Sequence, residues 1–232
     1  MLTIRKSEDR GHAKSDWLDT RYSFSFAGYH DPAHMHFGAL RVMNEDVIAP
    51  GGGFAAHPHR DMEIVTYIIS GALAHKDSLG NGSIIRPGEI QRMSAGSGIV
   101  HSEFNPSESE PTHSLQIWIL PGRHGIAPSY EQKTITPASV TNRFARIAAP
   151  DPGENEVRLV QDAQIWAAKL DAGSMAGHTL APGRRAWLQV ARGDVELGGE
   201  ILGQGDAAAV SGETAIAVRA RAAAELLLFD LA

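Results

Sequence analysis

The apolar residues of this chain come in short runs that alternate with polar ones, with turn residues between them at regular intervals. Ile64-Val65-Thr66-Tyr67-Ile68-Ile69 is β-branched and aromatic, is bounded by Ser70-Gly71, and reads as a buried strand. Tyr22-Ser23-Phe24-Ser25-Phe26 sets aromatic against serine at each step, which predicts a strand with one buried face. Leu40-Arg41-Val42-Met43 and Leu115-Gln116-Ile117-Trp118-Ile119-Leu120 continue the series, with Gly80-Asn81-Gly82 and Pro87-Gly88 as turns. Ahead of them, residues 1 to about 20 alternate only loosely, and Gly11-His12 reads as a turn before Trp17-Leu18. Strands this short and turns this regular predict an all-β antiparallel sandwich or barrel, not βαβ units.

Between 121 and 155 the texture changes: prolines at 121, 128, 137, 150 and 152 and a polar run suggest a crossover and linker. Strand signals resume from about 156, at Ile165–Leu170, Ala186–Val190 and Ala224–Phe229, with a turn at Gly203-Gln204-Gly205-Asp206. The two halves rhyme. Ile69-Ser70-Gly71 corresponds to Ala191-Arg192-Gly193, and Arg86-Pro87-Gly88-Glu89 to Gly203-Gln204-Gly205-Asp206. An ungapped alignment then sets Thr179 and Ala181 opposite His57 and His59. His178 falls one residue off and reads as a surface or core histidine without a partner.

At 232 residues the chain is long enough for one large β domain or two modest ones with proper cores. A formal net charge of -6 offers a polyphosphate backbone no attraction, so nucleic-acid binding is not expected. With Cys 0 there is no disulfide, thiolate metal site or cysteine nucleophile. The charged N-terminal stretch is not a secretory signal and no apolar run approaches a membrane span, so no membrane partner and a cytoplasmic location are expected.

The candidate chemistry lies in two stretches, Gly51-Gly52-Gly53-Phe54-Ala55-Ala56-His57-Pro58-His59 and Gly96-Ser97-Gly98-Ile99-Val100-His101-Ser102-Glu103. In an extended chain His57 and His59 share a face, as do His101 and Glu103. Brought opposite each other, the two pairs make a four-ligand metal site. Imidazoles with one carboxylate suit a divalent first-row transition metal, and the lack of thiolate leans away from structural zinc. The flanking glycines read as tight turns at barrel corners, since no glycine-rich stretch leads into a helix. His34-Met35-His36 repeats the spacing without a second cluster tied to it, which suggests a loop or rim.

Gly51-x5-His57-x-His59-x3-Glu63 fits the first cupin motif, with Gly71 one position later than usual. Gly88, Gly98, His101 and Asn105 fit the second, with Gly96 where proline is usual. More specifically, His57-Pro58-His59-Arg60-Asp61-Met62-Glu63, Thr66-Tyr67, His75-x-Asp77-Ser78, Pro87-Gly88 and Met93-x-Ala95-Gly96-x-Gly98-Ile99-x-His101-x-Glu103 resemble the pirin family. The resemblance implies a bicupin: two antiparallel jelly-roll barrels packed face to face. Residues 1-122 would form the metal-binding barrel, 123-155 the crossover, and 156-232 a degenerate barrel without metal. The implied ligands are His57, His59, His101 and Glu103. Glu63, the carboxylate that general cupins use, would stand behind them.

The resemblance further implies a quercetin 2,3-dioxygenase-like oxidoreductase that opens the central ring of a flavonol with dioxygen and releases carbon monoxide. Glu103 would be both ligand and general base. One divalent cation per chain is expected, iron favoured, with manganese, nickel, zinc and copper also compatible. A nuclear member of the family acts as a metal-dependent transcription coregulator, so a regulatory module that docks a protein partner is the alternative, and a metal that merely staples the barrel is a third reading. The negative charge balance favours the enzyme. Met43, Phe54 and Trp118 are candidates for the barrel mouth or the core.

Overall fold

The computed structural model describes residues 1–232. The chain folds into two compact units: Gly11–Thr134 with Val157–Gln161, and Met1–Arg10 with Ile135–Glu156 and Asp162–Ala232. Both are built from antiparallel strands, as the alternating pattern predicts. The helix Pro137–Val140 is a single turn, and no helix is long and apolar enough to cross a membrane.

In the first unit a seven-stranded sheet runs in the order Ser129–Thr134, Glu89–Ser94, Glu63–Ser70, Thr112–Ile119, Leu40–Ile48, Leu18–Tyr22, Gly11–Lys14. A four-stranded sheet orders Gly53–His59, Ile99–Phe104, Leu73–Asp77 and Gly82–Ile85. Glu63–Ser70 lies inside the larger sheet, flanked by Glu89–Ser94 and Thr112–Ile119, and Ile64, Val65, Tyr67 and Ile68 are all buried there. This is where an uninterrupted β-branched run belongs. The expected turns at Gly80 and Gly88 both need positive φ, 91° and 86°, which glycine adopts without strain.

Three readings change. The strand expected at 22–26 is Leu18–Tyr22, and the chain leaves the sheet at Ser23. Beyond it Ser25 turns its hydroxyl to the carbonyl of Asp31 and accepts the Asp31 amide at 2.8 Å, an interaction that competes with a ladder. Gly11 opens a strand instead of forming a turn. The stretch 123–155 is not a linker. It holds the strand Ser129–Thr134, paired with Glu89–Ser94, and Ala145–Ala149, paired with Ala163–Leu170.

The second unit repeats the topology. Its larger sheet orders Leu2–Arg5, Ala207–Ser211, Arg185–Arg192, Ala224–Leu231, Ala163–Leu170 and Ala145–Ala149. The smaller orders Met175–Thr179, Ala215–Ala220, Val195–Leu197 and Glu200–Leu202. Burial sets which positions match: Met175–Thr179 turns Ala176 and His178 inward and Ala215–Ala220 turns Ile216, Val218 and Ala220 inward, so His178 paired with Ile216 stands where His57 is paired with His101. That is one residue off the ungapped alignment, and of the ligand types only this histidine is kept, with Ile216 and Val218 where His101 and Glu103 stand. His178 is not partnerless: its Nε2 lies 2.9 Å from Asp230 Oδ2, and its ring packs 4.7 Å from Trp166.

The N-terminal boundary also moves, because residues 1–10 belong to the second unit. Leu2–Arg5 pairs with Ala207–Ser211. Lys6 Nζ and the Ser7 amide donate to the buried Asp206 carboxylate at 2.9 and 2.7 Å, and Arg10 donates to the Gly205 carbonyl at 2.8 Å. Deleting residues 1–10 uncovers a sheet edge and leaves the buried Asp206 carboxylate with the Gly203 amide but without Lys6 and Ser7. The expected cost is about 3 kcal/mol or more to the Asp162–Ala232 unit. Denaturant unfolding followed by amide exchange checks it: protection falls across Ala207–Ser211 and is retained across Glu63–Ser70.

Candidate metal centre

The four-stranded sheet of the first unit carries the site. On Gly53–His59, alternation turns His57 and His59 to one face, and their ring centroids lie 4.8 Å apart. The neighbouring strand Ile99–Phe104 runs antiparallel, in a register that sets His101 against His57, with ring centroids 4.5 Å apart. A register shift between His101 and Glu103 on that side re-aims the chain. On its other side the same strand pairs Glu103 with His75 and His101 with Asp77. The result is two overlapping groups whose nitrogen and carboxylate oxygen atoms lie within 4.8 Å of one another: His57, His59 and His101, and His75, His101 and Glu103. His101 belongs to both.

Hydrogen bonds fix the donors. His57 Nδ1 lies 2.7 Å from the Ala55 carbonyl, which only accepts, so Nδ1 carries the proton and Nε2 keeps its lone pair. Both nitrogens of the buried His101 lack any hydrogen-bond partner. A bare nitrogen in a dry site is costly unless something binds it, and a metal ion meets that need at one of the two. Glu103 Oε2 accepts from Gln116 Nε2 at 2.9 Å, with the Thr66 hydroxyl 3.5 Å from Oε1.

Burial, helped by His57, His59 and His75, pushes His101 down to about 3, with Asp77 opposing. Burial and the nearby His57 push His59 down to about 4. Burial pushes Glu103 up to about 7, with Asp46 adding to the rise and Gln116 and Thr66 opposing it. His59 and His101 are thus held in the neutral, metal-binding form.

A cavity of about 260 Å³ opens on these groups. Phe26, Phe54 and Trp118 supply apolar wall, while Thr20, Asn44, Asp46 and Gln116 supply polar wall. Trp118 meets His59 edge-on at 4.9 Å and Phe26 at 5.3 Å. Met43, by contrast, is fully buried in the core. Glu63 is not among the gathered groups: its carboxylate accepts from the Ser94 hydroxyl and, at 3.2 Å, from the Val160 amide. His34 bonds Asp31 and His36 bonds the Gly38 carbonyl, both in the 23–39 loop.

Two family models match the chain, one described as Pirin over residues 3–119 and one as quercetinase C-terminal cupin domain over residues 146–231. The chain belongs to the pirin family. It is 43% identical over 231 residues to a protein called quercetin 2,3-dioxygenase from Escherichia coli (strain K12), covering 100% of this chain and 99% of that one. It is 44% identical over 233 residues to the putative quercetin 2,3-dioxygenase PA1210 of Pseudomonas aeruginosa, covering 100% of both. Among solved structures, the bacterial pirin YhhW from Escherichia coli in complex with nickel(II) superposes with a TM-score of 0.94. Its identity is 43%, over 100% of this chain and 99% of that one. The all-β, two-cupin architecture of a pirin is thereby established for this chain.

This pirin also holds site residues that sequence reasoning passed over. His75 was read only as part of a motif, yet its side chain is buried 5.4 Å from His101, stacked on Tyr130 at 4.8 Å and bonded to Asp77 at 3.1 Å. Its position two residues before Asp77, on a strand flanking His101, was the available signal. Gln116 and Asn44 gave none, being single polar residues within strands.

Gly53 shows why the glycine run precedes the histidines. A Cβ there would lie 2.3 Å from the Glu103 carbonyl oxygen and 2.6 Å from Phe104 Cα, so the two strands meet only over glycine. Gly53→Ala is expected to cost about 3 kcal/mol and to lower metal content, because it displaces Glu103 itself. Thermal unfolding and metal analysis on the same sample test both effects.

Proposed function

We propose that this chain is a metal-dependent dioxygenase that opens the central ring of a flavonol such as quercetin. Both atoms of dioxygen enter the ester product and one ring carbon leaves as carbon monoxide, so no external reductant is required. The observation that carries this reading is His101: a buried imidazole with two unpartnered nitrogens, set among His57, His59 and Glu103 at the end of an aromatic-walled cavity. The names of the 43–44% identical relatives support the substrate class.

In this reading His57, His59, His101 and Glu103 hold one divalent transition metal. Iron is the proposed ion, and nickel is the alternative that the relative's complex supports. When bound, the ion supplies a Lewis acid that lowers the pKa of a flavonol hydroxyl and orients the ring. The chain's own residues do the rest. His57 offers Nε2 because the Ala55 carbonyl holds its other nitrogen. Phe54 and Trp118 confine a flat ring system and exclude water. Glu103 takes the hydroxyl proton, and Gln116 holds its Oε2.

The test is elemental analysis of protein purified without added metal, paired with quercetin loss and carbon monoxide release under oxygen. One redox-active ion per chain, with carbon monoxide formed in step with quercetin loss, is the expected result. Metal bound in every form tried, with flavonol untouched, overturns the enzyme reading.

A further inference from the structure

Asn44 is a polar residue in an unusual position. It lies in the middle of Leu40–Ile48, with Tyr22 opposite it on one neighbouring strand and Gln116 on the other. It is 4% exposed, lines the cavity that opens on the histidines, and its Oδ1 is buried without a hydrogen-bond partner. Its surroundings make the bare amide conspicuous. Two residues on, and so on the same face, the Asp46 carboxylate receives the Thr20 hydroxyl; across the ladder, Gln116 is bonded to Glu103 and Thr66. Every other polar group of that wall is engaged.

A buried strand position favours an apolar or β-branched residue, and an unsatisfied amide there reduces stability. Such a cost at the wall of a ligand cavity is the mark of a group kept for a ligand. Its chemistry limits what that ligand presents. A carboxamide has one accepting and one donating end. A hydroxyl group can both donate and accept, so it satisfies the amide whichever way the amide is turned, whereas a bare aromatic edge satisfies neither.

We propose that Asn44 is a specificity-determining residue that hydrogen-bonds a ring hydroxyl of the substrate, remote from the hydroxyl that meets the metal, so that the site selects polyhydroxylated over singly hydroxylated aromatic ligands. This rests on the proposed flavonol activity and narrows its substrate class. Asn44 touches the substrate's periphery and takes no part in bond breaking, so its effect falls on binding and KM and leaves kcat largely in place.

The test compares quercetin with 3-hydroxyflavone, which keeps the metal-facing hydroxyl and lacks the others, in the metal-loaded wild type and in Asn44→Leu. Equilibrium binding is read by tryptophan fluorescence and KM by steady-state turnover. Wild type is expected to prefer quercetin by roughly tenfold or more, since the analogue leaves the amide buried and unpaired. Asn44→Leu weakens quercetin by a similar factor and leaves 3-hydroxyflavone unchanged or tighter. Asn44→Ala, which makes no steric demand, gives the same pattern if the leucine variant fails to fold. Equal weakening of both ligands, or a preference that survives in the variants, overturns the inference while leaving the dioxygenase reading intact. Wild type that binds neither ligand overturns both.

Discussion

His101→Ala abolishes metal binding and turnover together: metal content falls from about one ion per chain to below about 0.1, and kcat/KM drops by at least roughly 10³. The size of the effect follows from position. His101 is the residue common to both groups of potential ligand atoms, and the strand that carries it also carries Glu103. Its loss removes a donor from the centre of the site, where His57 or His59 would be lost from one side. Stability separates this outcome from a folding defect. In the metal-free wild type the two bare nitrogens of His101 are a liability, and alanine removes it while opening a small cavity. The two effects oppose, so metal-free variant and metal-free wild type are expected to unfold within about 1 kcal/mol of each other. Full metal content in His101→Ala would refute the four-ligand assignment.

Metal uptake by the stripped protein is expected to weaken about tenfold for each pH unit below about 7, and the sign follows from which groups still hold protons. A ligand must be deprotonated to bind, so protons compete with the metal below each ligand's pKa. Burial pushes Glu103 up to about 7, which places the onset of competition near neutrality instead of near the ordinary carboxylate value of 4.5. His59 and His101 are pushed the other way, to about 4 and about 3, so they stay neutral through the same window and add no protons of their own. Glu103 therefore supplies one released proton between pH 7 and 5. Calorimetric titration with nickel(II) at several pH values, in two buffers of different ionisation enthalpy, counts it. Glu103→Gln should bind more weakly at pH 8 and lose this component of the pH dependence. An identical slope in that variant would show that the proton comes from elsewhere.

Much of the site was legible because its ligand pairs are spaced by two on strands, and a period of two on a strand is a statement about faces. His57 with His59, and His101 with Glu103, needed only the assumption that the segments are extended, and Gly53–His59 and Ile99–Phe104 are. The Ile64–Ile69 run was equally plain, since only a central strand buries such a sequence on both faces. What escaped was whatever depends on partners distant in sequence. Leu2–Arg5 joins Ala207–Ser211 through backbone hydrogen bonds, which leave no trace in side-chain pattern. The strand expected through Phe26 stops at Tyr22 because a serine hydroxyl captures a loop. Asn44, Gln116 and His75 meet the site from three different strands, and only His75, two residues before Asp77, sits in a spacing that hints at it. His178 was misread for the same reason: its partner Asp230 lies 52 residues away.

The stitching of residues 1–10 into the second unit has a consequence for birth on the ribosome. Leu2–Arg5 is synthesised about two hundred residues before the strand it pairs with, Ala207–Ser211. The Gly11–Thr134 stretch, with every strand of both sheets of the first unit, is complete roughly seventy residues before Ala207–Ser211 is made. At translation rates of about 5–20 residues per second, the leading strand waits on the order of ten seconds or more for its mate. Through that interval the leading strand is an unpaired β-edge, open to chaperones and to neighbouring nascent chains, and for roughly its last third the sheets behind it already have all the strand partners they need.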